Sequence, residues 1–287
     1  MVTPGYIPPH PNPSKPKAIL PPLACDAHCH IFGPADTYPY SPKSSYIPPD
    51  APAADLEALH KHLGFERAVV VQASCHGTDN SAMIDALRER DHWKGVAILD
   101  GSETDDQLAE MHDVGVRGVR FNFVRRLKAA QPLEERRAII DRIAKLGWHL
   151  IVYFEPDDLP GIWDFLKSCP IPVAIDHMGR CPVEEGTEGE AFNRMAELLQ
   201  DDKFWVKISG AERLSKSGPP YSDVDPIARE LARIAPDRAF FGTDWPHPNM
   251  VSHAPDDGLL VDRITQVCEG DLLTKVLVEN PGRLYWG

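Results

Sequence analysis

The chain alternates short apolar runs with segments of helical periodicity, and it does so eight times. In chain order the runs are CDAHCHIF, RAVVVQAS, KGVAIL, VRGVRFNF, WHLIVYFE, IPVAIDHMG, FWVKISG and RAFFGTDWP. Apolar strands that are each separated from the next by a helix are typical of a parallel sheet covered on both sides. Eight such units predict an α/β fold, a closed (β/α)₈ TIM barrel. The alternative is an open doubly wound sheet, but no G-x-G-x-x-G follows the first run.

The length of the chain fits one barrel domain. Its 287 residues compare with about 250 for a typical (β/α)₈ barrel. We expect a Pro-rich arm over residues 1–23 and a single barrel over residues 24–287. Two late segments, SHAPDDGLLVDRI and LLTKVLVENPGRLYW, are expected to complete the outer ring of helices.

Charge and composition restrict the partners that this chain is expected to have. The formal net charge of -13 at pH 7 argues against nucleic acid, because a nucleic-acid-binding surface needs clustered positive charge. No apolar run approaches the roughly 20 residues that span a bilayer, so no membrane partner is expected. The six Cys include no C-x-x-C pair, which is typical of reduced, buried thiols in a cytoplasmic protein. A local group of arginines still permits a small anionic ligand.

Polar side chains follow the predicted strands at the ends where (β/α)₈ barrels build their sites. His28 and His30 lie two residues apart and therefore share one face of the first strand, whereas Cys29 faces the opposite way, toward a helix. His177 follows the sixth strand and Asp244 the eighth. The other candidates at strand ends are Ser74, His76, Arg120, Asn122, Arg126, Tyr153, Glu155, Asp176 and Arg213.

Each candidate also has a plainer interpretation. A single histidine at a strand end is more often a hydrogen-bonded structural residue than a ligand, and Arg126 is compatible with a solvated loop. Arg120 is harder to explain in this way, because a guanidinium that ends an apolar strand is costly to bury unless an anion meets it. Histidines in or beside helical patterns are interpreted as surface residues: His60, His62, His92, His112 and His149.

Six segments carry a resemblance to a known family: DAHCHIFGP, VVQASCHGTDN, GVRGVRFNF, IDHMGR, GTDWPHPN and NPGRLYW. From about Cys25 to Trp286 the sequence resembles the amidohydrolase superfamily, and within it the branch of 2-pyrone-4,6-dicarboxylate hydrolases. The resemblance implies an amidohydrolase-type barrel that opens the lactone ring, a carboxylic ester, to 4-oxalomesaconate. It further implies a place in protocatechuate-linked catabolism of lignin-derived aromatic compounds, with a small dicarboxylate lactone as the partner.

The resemblance also implies catalysis without a divalent metal. A binuclear site like that of the wider superfamily needs a carboxylated Lys or a Glu on strand four and a His on strand five. This sequence has Arg120 and Asn122 on strand four and Tyr153 on strand five. We therefore expect no cofactor. The alternative is a single tetrahedral zinc ion, held by His28, His30, His177 and Asp244.

The predicted site combines a general base, carbonyl-polarising groups and carboxylate-binding groups. Our hypothesis is that Asp244 takes a proton from the attacking water. The predicted donors to the lactone carbonyl, as it becomes an oxyanion, are His28, His30 and His177. One substrate carboxylate is assigned to Arg120 and Arg126, and the other to Arg213 with Ser74, because a guanidinium meets a carboxylate bidentately. The resemblance extends the substrate site to Tyr46, Tyr153 and Asn249.

Two rival interpretations remain at this stage. One is a zinc-dependent enzyme on the same barrel, either a sulfomuconolactone or sugar lactone hydrolase or a decarboxylase. Three arginines favour a multiply charged acid over a neutral sugar lactone, and a decarboxylase would release carbon dioxide. The other rival is a non-catalytic carboxylate-binding barrel, but an anion-binding protein gains nothing from a carboxylate such as Asp244 in its site.

Overall fold

Eight parallel strands form the centre of the protein. The structure is a computed structural model that describes residues 2–124 and 131–287. The strands pair in chain order from β1 to β8. They are β1 (Cys25–Cys29), β2 (Arg67–Val71), β3 (Trp93–Ala97), β4 (Val116–Asn122), β5 (His149–Tyr153), β6 (Val173–Ile175), β7 (Phe204–Ile208) and β8 (Ala239–Phe241).

Backbone hydrogen bonds from the end of β1 to the segment that follows β8 close the sheet on itself. The N–H of Asp244 donates to the carbonyl of His28 at 2.7 Å, and the N–H of His30 donates to the carbonyl of Trp245 at 2.7 Å. The predicted single-domain (β/α)₈ TIM barrel is therefore confirmed. This closure also brings the His-x-His pair beside the loop that carries Asp244.

Helices surround the barrel as the periodicity predicts. They are α1 (Ala53–Leu63), α2 (Ser81–Arg88), α3 (Asp105–Asp113), α4 (Leu133–Ala144), α5 (Leu159–Lys167), α6 (Glu190–Leu198), α7 (Ala211–Leu214), α8 (Asp225–Ile234), α9 (Asp257–Val267), α10 (Asp271–Thr274) and α11 (Asn280–Tyr285). None of the helices in the described ranges is both long and apolar enough to cross a membrane. All six cysteines are buried and free.

The two late segments, both expected in the outer ring of helices, lie in different places. Helix α9 joins the outer ring, in contact with α1 and α8. Helix α11 instead covers the amino-terminal end of the barrel: the Tyr285 ring lies 4.8 Å from that of His149 and 6.1 Å from that of Phe240. His149 is thus buried as the first residue of β5, so its interpretation as a surface residue is wrong.

An irregularity in β1 decides which of its side chains reach the site. Asp26 pairs with Ala68 and Cys29 with Val70, so β1 carries one residue more than β2 between these pairs. Strict alternation would place Asp26 on the face of His28. The irregularity turns Asp26 outward instead, where its Oδ2 lies 3.0 Å from Nε2 of His60 in α1. His60 is therefore buried, and its interpretation as a surface residue is also wrong.

The amino-terminal arm lies against the barrel wall and reaches the mouth. The backbone N–H of Ser14 donates to Oδ1 of Asp256 at 2.9 Å. Nearer the start of the chain, the Tyr6 ring stacks on that of Tyr46, with ring centroids 5.9 Å apart. The first part of the arm thus lies at the carboxyl ends of the strands.

Candidate active site

One cavity at the carboxyl ends of the strands gathers most of the predicted site residues. Its lining contains nine of them: His30, Tyr46, Ser74, Arg120, Tyr153, His177, Arg213, Asp244 and Asn249. The lining also includes Asn122, one of the strand-end candidates. His28 is fully buried beneath this cavity. Arg126 lies outside the described residues.

Asp244 lies at the centre of the site, in a left-handed backbone conformation with φ of 65°. Its Oδ1 is 3.1 Å from Nε2 of His30 and 3.4 Å from Nε2 of His28. Its Oδ2 is contacted by Nε and Nη2 of Arg213. Burial opposes ionisation, but the Arg213 guanidinium outweighs it and holds the pKa of Asp244 well below its usual range. Asp244 is therefore a carboxylate.

A second carboxylate, Asp176, lies below the cavity between two cations. Its Oδ2 accepts a hydrogen bond from Nε of Arg120 at 2.9 Å, and its Oδ1 lies 3.1 Å from Nζ of Lys207. Burial raises the pKa of Asp176, but Lys207 and Arg120 outweigh burial and hold that pKa well below its usual range. Arg120 thus has the anionic partner that its burial requires, and this partner belongs to the protein.

Lys207 is a residue near the site that the sequence analysis did not single out. It lies in β7, is fully buried, and places its Nζ 2.8 Å from Nδ1 of His28. A signal was available in FWVKISG, where a lysine interrupts an apolar strand. A buried cation needs an anionic partner, and this holds for Lys207 as it does for Arg120.

The histidines around Asp244 are held by hydrogen bonds on their far sides. Nδ1 of His30 lies 2.7 Å from the carbonyl of Val71, and Nδ1 of His177 lies 2.9 Å from Oγ of Ser209. Burial lowers the pKa of His28 and that of His177 to about 3. Both rings are therefore neutral near pH 7 and carry one proton each.

The rim of the cavity is held by polar contacts between loops. The Tyr46 hydroxyl and Oγ of Ser74 are 3.1 Å apart. Nη1 of Arg180 donates to the Tyr153 hydroxyl at 3.1 Å. Arg180, which the sequence did not single out, has a left-handed backbone with φ of 54°.

A buried group of charges lies behind the site and joins three elements. His247 of the β8 loop has Nδ1 3.4 Å from Oε1 of Glu212 in α7 and Nε2 3.1 Å from Oδ1 of Asp257 in α9. Burial opposes protonation of His247, but Asp257 and Glu212 outweigh it and raise its pKa to about 10. The resulting imidazolium links the loop of Asp244 to the helix that carries Arg213.

Comparisons with known proteins agree with this geometry. A family model described as Amidohydrolase matches residues 25–286. The chain belongs to the amidohydrolase family. Over 295 aligned residues it is 49% identical to the 2-pyrone-4,6-dicarboxylate hydrolase of Comamonas testosteroni, with 99% of this chain and 97% of that protein covered.

Two further relatives extend the comparison. This amidohydrolase is 38% identical to the 4-sulfomuconolactone hydrolase of Rhizobium radiobacter, with 93% of this chain and 91% of that protein covered. A crystal structure from Acinetobacter baumannii, assigned as a 2-pyrone-4,6-dicarboxylic acid hydrolase and solved with citric acid bound, superposes with a TM-score of 0.79 at 25% identity. That match covers 92% of this chain and 100% of the Acinetobacter chain.

The amidohydrolase site contains ligand-type groups that lie close together. Within the described ranges, His28, His30 and Asp244 place ligand atoms within 4.8 Å of one another. The charges around them fit a divalent cation poorly. Arg213 already contacts Asp244, and Lys207 contacts His28 from below. Together with Arg120, these cations would repel an added positive charge.

Proposed function

We propose that this amidohydrolase is a 2-pyrone-4,6-dicarboxylate hydrolase, which opens the lactone to 4-oxalomesaconate in protocatechuate-linked aromatic catabolism. The observation that carries the proposal is the meeting of Arg120, Arg213 and Asp244 at one cavity. Cations there suit a substrate with two carboxylates, and the carboxylate suits activation of water. The 49% identical Comamonas relative supports the same substrate.

Substrate binding is assigned to the two sides of the cavity. Arg120 and Arg126 bind one carboxylate of the lactone, and Arg213 with Ser74 binds the other. The rim residues Tyr46, Tyr153 and Asn249 complete the pocket. Because a planar guanidinium binds a carboxylate with two parallel hydrogen bonds, these contacts also orient the ring for attack.

In the chemical step, Asp244 takes a proton from a water molecule whose oxygen attacks the lactone carbonyl. His28 and His177 donate hydrogen bonds to the developing oxyanion, and each such donor typically contributes about 10²–10³ in rate. Collapse of the tetrahedral intermediate breaks the ring C–O bond, and the departing enolate oxygen receives the proton from Asp244. The enol then tautomerises to the ketone.

The structure specifies two contacts of His30. A carbonyl only accepts hydrogen bonds, so Nδ1 of His30 donates to the Val71 carbonyl. A carboxylate likewise only accepts, so Nε2 of His30 donates to Oδ1 of Asp244 at 3.1 Å. We assign this N–H to holding Asp244 in the free enzyme and to polarising the lactone carbonyl when the substrate is bound.

Arg213 couples substrate binding to the basicity of Asp244. In the free enzyme Arg213 contacts the Asp244 carboxylate, which makes that carboxylate a weaker base. A substrate carboxylate that shares the guanidinium draws positive charge away from Asp244. The pKa of Asp244 then rises, and proton abstraction becomes easier at the moment when water is to be activated.

We further propose that the reaction needs no metal ion and takes place in the cytoplasm. Lys207, Arg120 and Arg213 supply three positive charges beside the two carboxylates. Such charges stabilise a developing oxyanion, the role that a metal ion has in other hydrolases. The six buried, free thiols suit a reducing compartment.

A comparison of lactones tests the proposed function. Purified protein is incubated with 2-pyrone-4,6-dicarboxylate and, separately, with 4-sulfomuconolactone, and the ultraviolet spectrum and released carbon dioxide are followed. We expect the pyrone absorbance to disappear, without carbon dioxide, at a kcat/KM far above that for the sulfonated lactone. Faster turnover of 4-sulfomuconolactone, or binding of the pyrone without turnover, would contradict the assignment.

A further inference from the structure

Lys207 is a buried cation that the proposed chemistry does not use directly. It lies inside the barrel below His28, with its Nζ 2.8 Å from Nδ1 of His28 and 3.1 Å from Oδ1 of Asp176. An ammonium group has three N–H donors and no acceptor. Nδ1 of His28 must therefore accept this hydrogen bond, and the single proton of the neutral ring lies on Nε2.

Asp176 is compatible with this assignment. Its Oδ1 lies 3.1 Å from Nδ1 of His28 and also 3.1 Å from Nζ of Lys207. Since the contact of Lys207 with Nδ1 is shorter, at 2.8 Å, the ammonium bridges the two acceptors, one N–H to each.

The neighbouring histidine also directs its N–H groups at acceptors. Nδ1 of His30 donates to the Val71 carbonyl at 2.7 Å, and its Nε2 donates to the Asp244 carboxylate at 3.1 Å. Nε2 of His28, at 3.4 Å, carries its proton toward the same carboxylate oxygen. Both histidines therefore present an N–H, and not a lone pair, to Asp244.

This arrangement is unfavourable for a metal ion. A histidine binds a metal through a nitrogen lone pair. In His28 the nitrogen that faces Asp244, at 3.4 Å, carries the proton instead. Binding would require that proton to leave Nε2 while the Lys207 ammonium, on the other side of the ring, repels the incoming charge.

We propose that Lys207 is a positioning residue that keeps His28 in its hydrogen-bond-donating form and thereby excludes divalent metal ions from the His28–His30–Asp244 group. This inference rests on the proposed metal-free function and names the residue responsible for it. Its substrate-side consequence is that Nε2 of His28 always presents a proton to the lactone carbonyl.

The test is metal affinity in a variant that lacks the ammonium. In Lys207→Met, Arg120 still neutralises Asp176, and His28 is free to place its proton on Nδ1 toward Asp176. We expect cobalt(II), followed by its visible absorption and by calorimetry, to bind this variant at least about tenfold more tightly than the wild type, or about 1.4 kcal/mol. The matched control is Lys275→Met, which removes a lysine from an exposed Lys–Asp pair and should leave cobalt affinity unchanged.

A spectroscopic measurement on the wild-type protein keeps the test independent of whether the variant folds. Nitrogen-15 NMR of the histidine rings, with His28 assigned from a His28→Gln variant, should show the proton of His28 on Nε2. A proton on Nδ1, or equal cobalt affinity in folded Lys207→Met and wild type, would overturn the inference. If the wild type itself binds zinc tightly and needs it for turnover, the proposed metal-free function fails as well.

Discussion

At the scale of single residues, the proposed mechanism depends on Asp244 and on what surrounds it. Its carboxylate is buried and touches Arg213, His30 and His28. Arg213 keeps it ionised, as a general base must be before water is activated. Substrate binding, in contrast, is assigned to the guanidinium groups. Two substitutions separate these roles.

The first substitution, Asp244→Asn, removes the base and keeps the shape of the side chain. We expect kcat to fall by about 10³, within the range typical of general-base removal, while the pyrone still binds. Steady-state kinetics and calorimetric titration with 2-pyrone-4,6-dicarboxylate measure the two effects. The control is Asp85→Asn on the exposed face of α2. Turnover near the wild-type rate would remove Asp244 from its assigned role.

The second substitution, Arg120→Met, removes a cation from the substrate side of the cavity. A lost charged hydrogen bond costs about 1.5–3 kcal/mol, so we expect KM for the dicarboxylate to rise roughly 10- to 100-fold. Arg120→Lys keeps the charge but loses the planar fork and should recover only part of the affinity. Arg88→Met, at an exposed arginine paired with Asp85, is the control. An unchanged KM would exclude Arg120 from substrate binding.

At the scale of elements, the loop that follows β8 is a strongly constrained part of the fold. Asp244, His247 and Asn249 all have left-handed backbones, with φ of 65°, 59° and 61°. Such conformations are uncommon outside glycine and persist where surrounding contacts hold them. Glu212 and Asp257 hold the loop through His247, and the arm holds it through Tyr6, whose hydroxyl accepts the backbone N–H of Asn249 at 3.4 Å.

The charge of His247 predicts a pH dependence of stability. Its pKa rises from the ordinary 6.5 to about 10 in the folded protein, so its contribution to the free energy of unfolding is complete below pH 6.5 and is lost as the pH rises through 10. We expect the difference in Tm between wild type and His247→Gln to shrink from pH 7 to pH 10. The exposed His92 provides the control, His92→Gln. A difference that stays constant over this range would contradict a charged His247.

The position of the arm predicts an effect on substrate binding. Tyr6→Ala removes both the ring stacked on Tyr46 and the hydroxyl bonded to Asn249. We expect KM to rise several-fold with little change in Tm, because Tyr6 is only half-buried. His10→Ala, in the same arm, should leave KM unchanged. Equal KM values for wild type and Tyr6→Ala would show that the arm does not support the cavity.

At the scale of the whole molecule, the sequence predicted the architecture because the barrel depends on a repeated pattern. Eight apolar runs separated by helices specify a closed parallel sheet, and strand ends then indicate where polar side chains converge. That reasoning brought together His30, His177, Arg213 and Asp244 without any structural information. To predict that these four residues meet, the position of each strand end was sufficient, and the details of packing were not needed.

Features that depend on contacts between distant segments were not predictable in the same way. Asp26 meets His60, 34 positions later, and Thr243, 217 positions later. The contact with His60 depends on the irregularity in β1, which the sequence pattern does not show. The covering of the barrel end by Tyr285 and the pairing of Lys207 with His28 likewise require the closed barrel. Local patterns identify a buried charge, but tertiary structure determines which partner it meets.

The proposed mechanism requires imidazoles, guanidiniums and the Lys207 ammonium to perform this hydrolysis without a bound cation. The most direct measurement is kcat for 2-pyrone-4,6-dicarboxylate as a function of bound metal per protein, from chelator-treated protein to protein loaded with zinc. We predict full activity at zero metal content and no gain on loading. Activity that disappears on chelation and returns in proportion to bound zinc would contradict the metal-free mechanism.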